Sequence, residues 1–262
     1  MTVQIVLQNS IETLYSKYHI IIKQINYMNK HLEFEDFEQA YIGNIVAITT
    51  HPEFELVSRI GDCWERTRHS YEVYDMKSFK FSTEDLGKLD YNYIETFYDW
   101  VISGSTDAEE AFKEYPNVAK FLAKPENTEL PKNFNTFYGP RIVAQRPSII
   151  KELTNNPTSR RAVISILKDS DLDLLGTDEK LEFPCTDSAT FSIRKGKLNC
   201  HVHMRSQNMV TVIKLDMYLW ARFTCEMAKE LGVETGIFSS SIVSAHVFER
   251  DQEYLQSINI ID

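Results

Sequence analysis

The sequence predicts an α+β fold in which helices cover a mixed, largely non-βαβ sheet. Helix-like and strand-like segments follow one another without the regular alternation that builds βαβ units. A hairpin pattern occupies Thr190–Arg205, and a broad apolar helix follows it over Asp216–Leu231. The chain has 262 residues, 43% hydrophobic and 25% charged, with no internal repeat, low-complexity tract or Gly/Ser- or Pro-rich linker. It therefore reads as one globular domain over residues 1–262, and global disorder is excluded.

Residues 1–55 read as a helical amino-terminal extension, because Ile11, Leu14, Tyr15, Tyr18, Ile21, Ile22 and Ile25 recur at spacings that line one helix face. Cys63–Phe81 ends in YEVYDMKSFKF, an aromatic-rich, roughly alternating run that predicts strands. Tyr91–Ile102 predicts a helix stopped by Ser103-Gly104. Residues 105–135, with Pro116, Pro125 and Pro131 among many charges, predict an irregular surface insertion. Ser148–Leu153 predicts a short helix halted by Asn155-Asn156-Pro157, and Arg161–Leu167 a β-branched strand. Thr190–Arg194 and Leu198–Arg205 alternate about Lys195-Gly196-Lys197 as a hairpin. In Asp216–Leu231 the residues Met217, Trp220, Ala221, Phe223, Thr224 and Met227 share one broad face, with Gly232 as the stop.

A net charge of −10 argues against non-specific binding to polyphosphate, so no nucleic-acid partner is expected, and an anionic ligand would be small and met by a local arginine cluster. No run approaches the ~18 apolar residues of a membrane span, and the opening MTVQIVLQNSIETLY lacks a basic flank followed by an apolar core. A cytoplasmic protein without a membrane partner is expected. Cys63, Cys185, Cys200 and Cys225 form no CxxC pair and no zinc spacing with histidine, so unpaired thiols and no metal are expected. Cys200 and Cys225 fall on apolar phases and read as packing.

Cys185 differs. Pro184-Cys185-Thr186 lies in a polar turn before the hairpin, while Arg160-Arg161 and Arg205-Ser206 stand at the ends of neighbouring strand candidates. Guanidiniums near a thiol favour thiolate, and their planar fork suits a phosphate monoester. Arginines at strand ends also pair with carboxylates, so composition alone leaves both readings open.

The stretches FYGPRI (137–142), NPTSRRAVIS (156–165), FPCTDSATFSIRKGKLNCHVHMRS (183–206), the helix opening at Asp216, and SAHVF (244–248) occur in one order. In that order the chain resembles thymidylate synthase and its sister enzymes, the pyrimidine-nucleotide hydroxymethylases. The resemblance implies a thymidylate synthase-like fold, a homodimer, a pyrimidine nucleoside monophosphate as substrate, and 5,10-methylenetetrahydrofolate as one-carbon donor. It makes Cys185 the nucleophile that adds to C6 of the base, rendering C5 enamine-like. Arg205 and Ser206 would grip the nucleotide phosphate, joined by Arg160 and Arg161 from the other subunit of the dimer. Tyr138 matches the tyrosine that orders water near the thiol, His246 the histidine aimed at the sugar 3′-hydroxyl, and Asn208 the folate-contacting position. Ser58-Arg59-Ile60-Gly61 resembles a phosphate-capping loop, and Glu95 in IETFYDW a glutamate that organises water and proton transfer. His201 and His203 alternate on the hairpin and read as packing or surface.

Asp216 stands where the synthase has asparagine and where cytidylate hydroxymethylases have aspartate. A carboxylate accepts from the exocyclic amine of cytosine and repels O4 of uracil, and a proton shared with N3 would activate the cytosine ring. An N-cap role is compatible with this. Phe248 replaces the tyrosine of the sugar motif, Asn208 replaces an aspartate, no tryptophan lies between Gly104 and Tyr138, and 14 residues follow Phe248. Phe248 removes a hydroxyl from the sugar corner, and the last three departures favour a wetter lid and capture of the methylene intermediate by water over hydride transfer. The expected activity is thus folate-dependent 5-hydroxymethylation of dCMP or CMP. The alternatives are methylation of dUMP, as in thymidylate synthase, and a catalytically silent nucleotide- or RNA-binding homologue.

Overall fold

A computed structural model of the protein describes residues 30–58, 61–81, 90–118, 138–175 and 183–261. Arg59, residues 1–29 of the expected helical extension and residues 119–135 of the expected insertion lie outside these.

β1 (His31–Phe34) is a strand rather than part of a helix, because Leu32 and Phe34 alternate into the core while His31 and Glu33 face out. Asp36 then accepts from the backbone N–H of Gln39 and starts α1 (Phe37–Thr50), which is buried on nearly every side and belongs to the core. β2 (Phe54–Ser58) and β3 (Gly61–Val73) form an antiparallel hairpin. The expected strand character of Tyr74–Phe81 is absent: Asp75 accepts from Lys77 and Ser78 and closes a turn, and the Ser78 hydroxyl receives the Phe37 N–H, tying that turn to the start of α1.

α2 (Tyr91–Ser103) begins at the Asp90 cap and ends at Gly104 in the left-handed region. A single turn, α3 (Ala108–Ala111), forms on the Asp107 cap within the segment expected to be irregular. α4 (Tyr138–Asn155) starts well before the predicted Ser148, running through Pro147. Ile142, Ile149 and Leu153 bury one side of α4 against its neighbours, so tertiary packing outweighs the hydrogen bond lost at proline. β4 is trimmed to Val163–Ser165, and a 3₁₀ segment follows at Asp169–Leu174. There Asp171 takes a bidentate pair from buried Arg141 of α4, at 2.7 and 2.8 Å.

The hairpin forms as expected from β5 (Thr186–Arg194) and β6 (Lys197–Asn208). α5 (Ile213–Leu231) ends at Gly232, whose φ of 68° suits glycine in the left-handed cap. β7 (Glu234–Phe248) and the short α6 (Gln252–Ser257) complete the chain.

The strands form one mixed sheet in the order β1-β3-β7-β6-β5-β4, with β2 also paired to β3. β6–β7 and β1–β3 are parallel, the other pairs antiparallel. One sheet face supplies Tyr71, Val73, Phe191, Cys200, Val202, Phe238 and Ile242 to the core, with α1 and α5 packed into the same apolar cluster. The opposite face carries Thr190, His201, His203, Ser239 and Ser241, half-buried or exposed. The predicted α+β class with a mixed sheet is the observed one.

Candidate active site

The site forms where the start of β5, the end of β6, the start of α4 and the first turns of α5 converge. Cys185 immediately precedes β5 and is half-buried. Arg205, across the hairpin on β6, donates from Nε to the Pro184 carbonyl at 2.6 Å and from Nη2 to the Phe183 carbonyl at 2.8 Å. The same Nη2 lies 3.8 Å from Cys185 Sγ, and the backbone N–H of Arg205 donates to the Cys185 carbonyl. One guanidinium therefore shapes the cysteine turn and places positive charge where a negative sulfur would form. The other three cysteines are thiols by environment: burial raises Cys63, pushes Cys200 up to about 12 and Cys225 up to about 11.

Tyr138, the first residue of α4, is buried, and its hydroxyl accepts from the backbone N–H of Thr186 at 3.0 Å. Burial, then the neighbouring Cys185 and Asp216, hold it as a neutral phenol. Its placement depends on Gly139: a Cβ there would lie 2.5 Å from the Val101 carbonyl oxygen, so only glycine lets the first turn of α4 sit against the backbone of α2.

Asp216 lies inside α5 rather than at its N-cap, which is Val212, so the capping alternative is overturned. Desolvation by burial pushes its carboxyl up to about 7, against a hydrogen bond from Gln207 Nε2 to Oδ2 at 3.2 Å. Tyr138 is thus hydrogen-bonded to the turn after Cys185, and its phenol feels the charge of the half-buried Asp216 carboxyl.

Ser206 is half-buried beside Arg205, paired in register with Ser244. His246 pairs with Asn208 across β6–β7, and its ring sits edge-on to Phe248 at 5.0 Å. Burial lowers the His246 imidazole below its ordinary range, so it is neutral at physiological pH. Asn208 Oδ1 accepts from the Val210 and Thr211 N–H groups, both at 2.9 Å. Its oxygen is thereby committed to the turn entering α5, leaving its amide N–H₂ as a donor that fits a carbonyl-bearing ring.

Arg160 and Arg161 lie away from Cys185 within one chain. β4 runs antiparallel to β5 with Val163 opposite Thr190, so Arg160 and Arg161 precede β4 at the end of β5 remote from Cys185. Arg161 is exposed and paired with Glu152 at 2.8 Å. Glu95, on α2, is bound by Lys80 at 2.6 Å and Arg222 at 2.8 Å. The Lys80 hydrogen bond, then Tyr218 and Arg222, hold its carboxyl below the usual range, which makes it a weaker base than expected of a proton-transfer group. Arg59 lies outside the described residues. Among the described residues, no group of three or more His, Cys, Asp and Glu side chains is placed to hold a metal, and no helix is long and apolar enough to cross a membrane.

Gln207 is the residue that sequence reasoning passed over. Its neighbours Asn199, His201, His203 and Arg205 mark the polar phase of β6 as outward, yet Gln207 is 2% exposed. No pattern in the sequence signals that reversal.

The family model described as Thymidylate synthase matches residues 62–258 of the chain. A protein named "Putative thymidylate synthase" from Methanosarcina barkeri is 29% identical over 157 residues, covering 57% of this chain and 67% of the relative. A protein of the same name from Methanosarcina acetivorans is 30% identical over 157 residues with the same coverage. The "Thymidylate synthase" of Staphylococcus haemolyticus is 23% identical over 145 residues, covering 55% of this chain and 42% of the relative.

Proposed function

Because the chain belongs to the thymidylate synthase family, whose chemistry is folate-dependent one-carbon transfer to a pyrimidine nucleotide, we propose that it is a cytidylate (dCMP or CMP) 5-hydroxymethylase. The observation that carries this reading is Asp216: a half-buried carboxyl on the first turns of α5, bonded by Gln207 at 3.2 Å and raised by desolvation to about 7. Its protonated oxygen donates to N3 of cytosine while the other oxygen accepts from the exocyclic amine, drawing electron density from the ring. C6 becomes electrophilic, and Cys185 Sγ adds there with the Arg205 guanidinium stabilising the sulfur's negative charge. C5 is then enamine-like. Methylenetetrahydrofolate, when bound, supplies the one-carbon unit for C5. Loss of the C5 proton expels tetrahydrofolate from the new C5–CH₂ group, water adds to the resulting exocyclic methylene, and the sulfur departs from C6, leaving a hydroxymethyl group on an intact ring.

In this reading Arg205 and Ser206 hold the phosphate, Arg59 completes its cap, and His246 faces the sugar. The exposed Arg160 and Arg161 act across a homodimer interface, which accounts for their distance along the sheet from Cys185 of their own chain. Glu95, held by Lys80 and Arg222, orders the α2–α5 wall of the site. Asn208 offers its amide N–H₂ to the folate ring.

The test is mass spectrometry of products after incubation with methylenetetrahydrofolate and, in parallel, CMP, dCMP, UMP and dUMP. A hydroxymethylated cytosine nucleotide is expected. The relatives' printed names favour a second reading, methylation of dUMP, and a methylated uracil product would replace our proposal with it.

A further inference from the structure

Gln207 donates from Nε2 to Asp216 Oδ2, while its own Oε1 is buried with no hydrogen-bond partner among the described residues. The residue is fixed by its place in β6, in register with Ala245 of β7 and beside Ser206. An amide carbonyl is rarely buried without a donor, because nothing replaces the water it has lost. An orphaned acceptor adjoining a base-reading carboxyl marks a position where a ligand's N–H belongs.

We propose that Gln207 is a specificity-determining residue: it clamps Asp216 through Nε2 and presents Oε1 as a second acceptor, so that the site takes a pyrimidine edge bearing an exocyclic amino group. The inference rests on the cytidylate reading and deepens it. A 4-amino group has two N–H donors, one for Asp216 and one for Gln207 Oε1. Uracil turns its O4 toward the same two acceptors and leaves both unpaired. The clamp also selects the proton's position, since an oxygen already accepting from Nε2 is the acceptor, and its twin carries the hydrogen. Burial holds the titratable groups coupled to Asp216 among the described residues, Tyr71 on β3 and Tyr138 on α4, as neutral phenols.

The experiment measures dissociation constants of CMP, dCMP, UMP and dUMP for the full chain by titration calorimetry, from about pH 5.5 to 9, in wild type, Gln207→Met and Gln207→Glu. Wild type is expected to prefer cytidylate, with affinity falling as pH rises through the Asp216 ionisation. Gln207→Met removes donor and acceptor, so the cytidylate-to-uridylate preference falls about tenfold. Its pH midpoint moves up, because the bond that favoured the carboxylate is gone. Gln207→Glu keeps an oxygen in place of Oε1 and should retain the preference while raising the midpoint; it stands in if the methionine variant does not fold. A folded variant with an unchanged base ratio and an unchanged midpoint overturns the role of Gln207. If wild type prefers uridylate, the cytidylate reading fails instead, and the role of Gln207 is then judged by whether its replacement moves the ratio.

Discussion

Of four cysteines, Cys63, Cys200 and Cys225 are held as thiols by desolvation, and Cys185 has the Arg205 guanidinium near its sulfur. Cys185→Ser is expected to reduce nucleotide-dependent exchange of the C5 hydrogen by about a thousandfold or more while leaving nucleotide binding in place, measured by loss of tritium from C5-labelled substrate. Retained exchange would assign the chemistry to another group. Asp216→Asn is expected to move base preference toward uracil by roughly ten- to a hundredfold, since the amide donates to O4 where the carboxylate repels it. An unchanged preference sinks the assignment of the base to this residue. The same substitution has a stability consequence. Burial raises the Asp216 pKa to about 7, so the folded state binds more protons than the unfolded chain between the ordinary carboxylate range and about 7. The associated stability is present in acid and is lost as pH rises through about 7. Asp216→Asn should therefore melt higher than wild type at alkaline pH, with each kcal/mol relieved raising Tm by about 2–4 °C. A lower melting temperature there would contradict the burial of an ionising carboxyl.

Side-chain direction is decided by a slip in the sheet. In β6 burial alternates through Leu198, Cys200, Val202 and Met204, then passes Arg205 and Ser206 to resume at Gln207. In β7 it passes Val243 and Ser244, resuming at Ala245 and Val247. In β3, Arg68 adopts a left-handed φ of 53° between Thr67 and His69, whose partners Ser244 and Ile242 flank Val243. Three adjacent strands change phase along one line, and the slip turns Gln207 inward to meet Asp216. A period-two reading of any one strand misses it, because alternation is a local rule and this displacement is shared. Helix contact matters equally at α4. Gly139→Ala would drive a methyl group into the Val101 carbonyl and displace Tyr138 from the Thr186 N–H. It is expected to cost about 1–3 kcal/mol by urea denaturation, with a loss of turnover beyond that of destabilised controls. A neutral result would show that α4 has room to shift without moving the site.

For the whole molecule, the sheet has one face in the core and one carrying His201, bonded to Ser239 and Ser241, with Val243 62% exposed. Arg160 and Arg161 lie at the far end of the sheet from their own Cys185, so our proposal requires a second subunit to complete each site. Mixing Cys185→Ser with the double variant Arg160→Ala/Arg161→Ala tests it. Each variant alone should be nearly inactive, whereas subunit exchange creates one intact site per mixed dimer and restores about a quarter of wild-type activity. No recovery after demonstrated exchange would place the arginines outside the shared site.

Taken by itself, the sequence determined the fold class, the β5–β6 hairpin, the ends of α2 and α5 at Gly104 and Gly232, and the family through its ordered motifs. The first three rest on near-neighbour rules of period, capping and turn chemistry, which act over a few residues, and the family on the resemblance of the motifs to known enzymes. Only the tertiary structure decided that Leu32, Phe34 and most of α1 are core, that α4 runs through Pro147, that Glu95 is bound by Lys80 and Arg222, that Asp216 is no cap, and that Gln207 faces inward. Each of these depends on which distant segments press against the residue, and burial, unlike periodicity, is a property of the assembled chain.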